Sequence, residues 1–153
     1  MFFSKKDNNV TLDILQKKNI LLNCNEDKKE DVIRKLGMLL VESGYVTLSY
    51  IDAMIEREKT FATYMGNGIA LPHGVESAKD GILSSGIAIM ISPSGIDWNG
   101  EKANVIIAIA GKGDEHLDIL GNIATKLGEE AAVAKVITMN VEEVYEFITR
   151  KEE

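Results

Sequence analysis

Gly86-Ile87-Ala88-Ile89-Met90-Ile91 and Val105-Ile106-Ile107-Ala108-Ile109-Ala110 are the stretches that decide the fold. Both are apolar at consecutive positions, rich in β-branched residues and bounded by Gly, Ser, Pro or Asn. Successive residues of a strand point to opposite faces, so an unbroken apolar run predicts a central strand of a sheet covered on both sides. Between the two runs, Ser92-Pro93-Ser94-Gly95 and Asn99-Gly100 are turn signals around Ile96-Asp97-Trp98. They predict a small hairpin or a bent edge strand, with Trp98 packing at that edge.

The covering layers lie outward along the chain. From Asn25 to Gly44, the residues Val32, Ile33, Leu36, Leu39 and Leu40 form one helical stripe, and Gly44 is the stop. A second helix starts near Thr47, repeats the pattern at Leu48, Ile51, Met54 and Ile55, and runs into Glu56-Arg57-Glu58-Lys59. This places Arg57 at a helix end beside a loop. Ile69-Ala70-Leu71 leaves the turn Gly66-Asn67-Gly68 as a brief strand and is cut off by Pro72. Beyond the second long run, Asp114 can cap a helix carrying Leu117, Leu120, Ile123, Ala124 and Leu127 to a stop at Gly128. Ala131 to Ile137 reads as a shorter helix. Asn140 with Glu143 fits a capping box for a last helix burying Val141, Val144, Tyr145 and Ile148. Helices alternating with strands predict an α/β fold, one domain over residues 1–153.

The charge balance narrows the partners. With 24 acidic against 17 basic residues the net charge is −7, which excludes binding driven by a phosphate backbone or an anionic lipid surface. The opening Met1-Phe2-Phe3-Ser4-Lys5-Lys6-Asp7 sets its apolar residues before its charges, unlike a secretory signal, and no run approaches the roughly 20 apolar residues of a membrane span. A single cysteine, Cys24, allows no intrachain disulfide, so the expected location is cytoplasmic. Nothing beside Cys24 lowers a thiol pKa, which makes it a small, partly buried residue. No His-x-x-x-His or Cys pair offers a metal site, Gly66-x-Gly68 is too short for a nucleotide loop, and Gly-x-Ser-x-Gly is absent. Neither metal nor cofactor is expected.

The chemistry narrows to two histidines at element boundaries. His73 follows a strand and His116 opens a helix, the places in an α/β fold where free N–H groups and the helix dipole favour an anion. In Leu71-Pro72-His73-Gly74 the ring has a rigid residue before it and an open one after it. A neutral imidazole fixed through one nitrogen can act as a nucleophile through the other. Arg57 would supply a bidentate cation, His116 a second donor and the Gly74 region backbone N–H groups, enough to hold a phosphoryl group without metal. On spacing alone each has a plainer reading: Arg57 as one charge of a solvated helix face, His116 as a solvated first-turn residue, and His73 as a surface or capping residue.

Three blocks end the ambiguity: Arg57-Glu58-Lys59, the segment Thr63-Tyr64-Met65-Gly66-Asn67-Gly68-Ile69-Ala70-Leu71-Pro72-His73-Gly74, and Glu115-His116-Leu117. Across essentially its whole length the chain resembles the enzyme IIA proteins of the mannitol/fructose phosphotransferase class. The resemblance implies an α/β sandwich with a mixed sheet between helices and a phosphohistidine at His73, formed through Nε2. It implies phosphoryl supply from the phosphocarrier protein HPr and delivery to a cysteine of the mannitol IIB domain of the permease. It assigns Arg57 and His116 to the active site and sets Thr63 in the loop bordering the pocket, as a candidate phosphate contact. Thr63-Tyr64-Met65-Gly66, Ile109-Ala110-Gly111-Lys112 and the opening Met1-Phe2-Phe3-Ser4 resemble the mannitol branch, whereas Val75 stands where mannitol relatives often carry a small hydroxyl residue. The alternative is a regulatory, nitrogen-type or fructose-type IIA whose phosphorylation state controls partner proteins. Transfer between proteins further predicts an apolar rim at the pocket, with Met65, Ile69 and Leu71 as candidates.

Overall fold

The computed structural model describes residues 14–26, 28–74, 80–112 and 115–150. Its five-stranded mixed sheet is built around the two apolar runs 86–91 and 105–110. They lie in β4 (Gly86–Trp98) and β5 (Glu101–Ala110), paired antiparallel. On the outer side of β4 runs β1 (Ile20–Leu22), in parallel; on the outer side of β5 runs β3 (Ile69–Ala70), also parallel, followed by antiparallel β2 (Tyr64–Gly66). The order is β1-β4-β5-β3-β2.

Alternation along the two central strands feeds two cores. Ala88, Met90, Ile106, Ala108 and Ala110 face α1 (Lys29–Glu42) and α2 (Ser49–Thr60). Ile87, Ile89, Ile107 and Ile109 face the other side, covered by α3 (Glu115–Leu127), α4 (Glu130–Val136) and α5 (Val141–Thr149). The small residues lie on the α1/α2 side, where packing is close: a Cβ on Gly86 would stand 2.2 Å from the Tyr45 ring, and one on Gly37 of α1 would stand 2.8 Å from Ile51 of α2. This is the predicted sandwich, helices on both faces of a mixed sheet.

Helix ends follow local chemistry. Gly44, at φ +84°, closes α1 with a double reversal in which its own N–H donates to the Val41 carbonyl and that of Tyr45 to Leu40. Asn140 and Glu143 form the expected capping box of α5 through reciprocal bonds of 2.8 and 2.9 Å. At the other end of α5, the buried Lys126 of α3 donates to the carbonyls of Phe147, Ile148 and Arg150, holding the two helices together. Asp114, expected to cap α3, lies outside the described residues, as does Val75.

One expectation is corrected. Ser92-Pro93-Ser94-Gly95 makes no separate turn, because β4 continues through it to Trp98 with a register shift between Ile91 and Ile96. Gly95, at φ +89°, accepts the irregular backbone, and the Asn104 amide donates to the Ser92 and Pro93 carbonyls that the ladder leaves unpaired. The reversal comes at Asn99-Gly100, with φ of +57° and +94°, the geometry that suits a two-residue hairpin. Trp98 therefore lies on a central strand, 0% exposed, and not at an edge.

Candidate functional site

β3 and β5 run parallel, so their carboxyl ends reach the same edge of the sheet. The chain leaving β3 is Leu71-Pro72-His73-Gly74, and the chain leaving β5 leads into α3, with His116 in its first turn. Sheet edges of this kind collect ligands. His116 is thus brought to the edge by its backbone; its side chain lies outside the described residues.

His73 is docked on β5 by backbone and by one phenol. The Ile109 N–H donates to the Pro72 carbonyl at 2.9 Å, and His73 bridges to Ile109 in parallel register. Tyr50, buried in α2, donates its hydroxyl to the Ile109 carbonyl at 3.0 Å and accepts the Gly74 N–H at 2.9 Å. Burial pushes the Tyr50 phenol above its ordinary pKa, against a smaller opposite effect of the Gly74 bond, so it stays a neutral donor at physiological pH. Gly74 fits because a Cβ there would lie 2.5 Å from the Tyr50 ring. Its N–H, expected on a phosphate, is committed to Tyr50.

The ring of His73 is half-buried and held through Nδ1, 2.8 Å from the Leu71 carbonyl. A carbonyl can only accept, so Nδ1 carries the proton and the neutral ring has its lone pair on Nε2. Arg57, in the last turn of α2, directs its Nε–H at that nitrogen from 3.5 Å and sets its guanidinium 5.3 Å from the Phe61 ring centroid. The structure therefore brings Arg57 and His73 together. Their arrangement offers an oriented nucleophilic nitrogen with a permanent cation beside it, suited to attack on an anionic electrophile.

Thr63 is placed differently from the expectation of a phosphate contact. It is buried, and its hydroxyl donates to Glu58 Oε1 at 2.6 Å while its N–H donates to Oε2 at 3.0 Å. The apolar rim is corrected as well. Ile69 and Leu71 are core residues, 6% and 3% exposed, because they continue the buried face of β3; of the expected rim only Met65, on β2, is exposed, at 57%, and Phe61, 65% exposed, is the apolar residue against Arg57.

Two positions with a hold on the site were missed in the sequence reading, Tyr50 and Glu58. Both carry a legible signal: Tyr50, Met54 and Glu58 are spaced four apart on the buried stripe of α2, where a phenol and a carboxylate break an otherwise apolar face. Among the described residues no group of three or more His, Cys, Asp or Glu converges on a metal-sized site, and no helix is long and apolar enough to cross a membrane.

Residues 13–151 match the family described as "Phosphoenolpyruvate-dependent sugar phosphotransferase system, EIIA 2". The chain is 47% identical over 133 residues to the mannitol-specific phosphotransferase enzyme IIA component of Bacillus subtilis, covering 86% of this chain and 93% of that protein. Its structure is similar to enzyme IIA mannitol of Escherichia coli in complex with phosphorylated enzyme IIB mannitol, with a TM-score of 0.83, 33% identity and coverage of 90% and 100%. The nitrogen regulatory protein IIA-Ntr of Neisseria meningitidis shares the fold, with a TM-score of 0.79 at 23% identity over 92% of this chain and 99% of that one.

Proposed function

Because the chain belongs to the EIIA 2 family of the phosphoenolpyruvate-dependent sugar phosphotransferase system, we propose that it is the phosphocarrier of a mannitol system, with His73 as the residue that carries the phosphoryl group. The observation that carries the assignment of His73 is the ring lock: Nδ1 is tied to the Leu71 carbonyl and Nε2 faces the Arg57 guanidinium. Relatives between 42% and 47% identical are mannitol-specific components, which supports mannitol over the regulatory reading.

In the first half-reaction the Nε2 lone pair attacks phosphorus on phospho-HPr. The new N–P bond forms as the donor's bond to phosphorus breaks, and the donor side chain leaves with that electron pair. Nδ1 keeps its proton, and the positive charge gained by the ring is met by the Leu71 carbonyl. Arg57 turns its planar fork from Nε2 to the phosphoryl oxygens, meeting their charge with two parallel N–H donors. In the second half-reaction a cysteine thiolate of the mannitol IIB domain attacks phosphorus, and His73 recovers its lone pair as the N–P bond breaks. His116 enters as a further donor to the phosphoryl oxygens. Thr63 and Gly74 enter as supports, through Glu58 and Tyr50. Family membership and this chemistry support a cytoplasmic location, and the reading takes residues 1–153 as a single unit.

The test is reconstitution of mannitol phosphorylation from enzyme I, HPr and a mannitol permease lacking its own IIA. The wild-type chain should support the reaction and His73→Ala should not. Wild-type protein that takes phosphate from HPr yet supports no mannitol phosphorylation would favour the regulatory reading. Labelling of His73→Ala at another residue would remove His73 from the assignment.

A further inference from the structure

Glu58 is a carboxylate 4% exposed, on a helical stripe otherwise made of Tyr50, Ile51, Met54 and Ile55. Burying a carboxylate is costly unless donors and a counter-charge surround it. Here they do: Thr63 gives both its N–H and its hydroxyl, the Trp98 indole donates at 2.9 Å, and Lys29 Nζ lies 3.7 Å away. These partners come from the loop after α2, from the β4–β5 hairpin and from α1. None belongs to α2 itself, so Glu58 clamps the end of that helix to three separate parts of the fold.

The clamp leads to His73 through consecutive bonds. Glu58 holds the Thr63 backbone, the Thr63 carbonyl accepts the Leu71 N–H at 3.1 Å, and the Leu71 carbonyl accepts His73 Nδ1–H. In the other direction Glu58 is the chain neighbour of Arg57. One buried carboxylate thus fixes both sides of the gap between Arg57 Nε and His73 Nε2. We propose that Glu58 is a positioning residue of the site, holding the Leu71 carbonyl that sets the His73 tautomer and the helix end that aims Arg57. An apolar residue would satisfy the stripe, but it would leave Thr63 and Trp98 without their acceptor and the loop from Phe61 to Thr63 without its anchor. The effect on transfer rate rests on the phosphocarrier reading above; the effect on the ring does not.

The experiment uses the full chain as wild type, Glu58→Gln, Thr63→Val and Thr63→Ser. Two quantities are read: the rate of His73 labelling by phospho-HPr, and the His73 tautomer from long-range proton–nitrogen NMR correlations of the ring. Misplacing reacting groups by about an ångström costs on the order of a hundredfold, so a loosened clamp should slow labelling by roughly 10-fold or more. Folded Glu58→Gln should show that loss together with a mixed tautomer population. Thr63→Val should change both readouts in the same direction, and Thr63→Ser, which restores the hydroxyl, should recover them. A folded Glu58→Gln with wild-type labelling and a single Nδ1–H tautomer overturns the proposal and leaves Glu58 as a brace of the fold alone. If Glu58→Gln does not fold, Thr63→Val decides: unchanged rate and tautomer overturn the proposal, and loss with rescue by serine supports it. Failure of wild-type protein to be labelled counts against the phosphocarrier reading, and the tautomer still decides the role of Glu58.

Discussion

His73 donates from Nδ1 to the carbonyl of Leu71, two residues earlier in its own chain, at 2.8 Å. Pro72 between them fixes φ near −65° and so holds the Leu71 carbonyl where the ring nitrogen can reach it. The resting protein should therefore show one neutral tautomer, Nδ1–H, in ring-nitrogen NMR, and the phosphorylated protein should carry phosphorus on Nε2. A phosphoryl group found on Nδ1 would falsify this account of the lock, since that nitrogen would have to abandon the Leu71 carbonyl first.

The Tyr50 hydroxyl links Ile109 to Gly74, and no other described side chain makes that link. Tyr50→Phe keeps the ring and removes the hydroxyl's bonds to both backbone groups, which should cost about 1–3 kcal/mol of stability and slow phosphoryl transfer as the His73 segment loosens. Burial raises the Tyr50 pKa above its unfolded value. The contribution is then fully present below the unfolded tyrosine pKa, about 10, and is lost as pH rises through the folded value. Chemical denaturation above pH ~10 should show wild-type stability falling more steeply with pH than that of Tyr50→Phe. Parallel curves would mean that Tyr50 does not titrate on unfolding in that range.

Arg57 contributes shape as well as charge. Its guanidinium stays protonated, lies over Phe61 and can face three phosphoryl oxygens with a planar fork. Arg57→Lys keeps a cation but loses the fork and the stack, and transfer from phospho-HPr should slow by about 10- to 100-fold. Arg57 is half-buried at a helix end and lysine keeps both the charge and the apolar stem, so the midpoint of thermal unfolding should hardly move. An unchanged transfer rate would remove Arg57 from the phosphate contact.

The layers were legible because the period of the apolar pattern reports burial directly. Ile87, Ile89, Ile107 and Ile109 alternate with Ala88, Met90, Ala108 and Ala110, and both sets are buried, as a strand covered on two sides requires. Ser92-Pro93-Ser94-Gly95 misled because turn residues also serve a bulge. Only the partner strand, with Asn104 reaching across to the freed carbonyls, distinguishes the two. Trp98 misled for a related reason: a turn at residues 92–95 would cut Ile96-Asp97-Trp98 off from the central strand that it in fact continues.

At the site, His73 and Arg57 were legible as residue types at element ends, but their 3.5 Å approach depends on how α2 crosses the sheet, which spacing does not encode. Thr63 is a candidate phosphate contact through the loop that the resemblance sets at the pocket, and Gly74 through its backbone N–H beside His73. Their donors are instead taken by Glu58 and Tyr50, residues of the α2 stripe that an apolar-periodicity count passes over. Ile69 and Leu71 failed as rim residues because a strand so short still alternates into the core.

Phe61 is the apolar side chain against Arg57, and an exposure of 65% is high for a ring that flanks a reactive pair. A protein that must dock to exchange phosphate needs apolar contact area around the reacting atoms, with charge setting orientation. Phe61→Ser removes that area together with the stack on Arg57, an exposed contact worth about 0.5–1 kcal/mol. Losing stack and area together should weaken binding of phospho-HPr or of the IIB domain by roughly 10-fold. Folding stability should stay within about 0.5 kcal/mol of wild type, since nothing buried is lost. Calorimetric titration with each partner separates the two roles of the ring: weaker binding with an unchanged single-turnover rate assigns Phe61 to docking. Unchanged binding with slower transfer assigns it to holding Arg57, because the guanidinium then has no face to rest on as it turns from Nε2 to the phosphoryl oxygens.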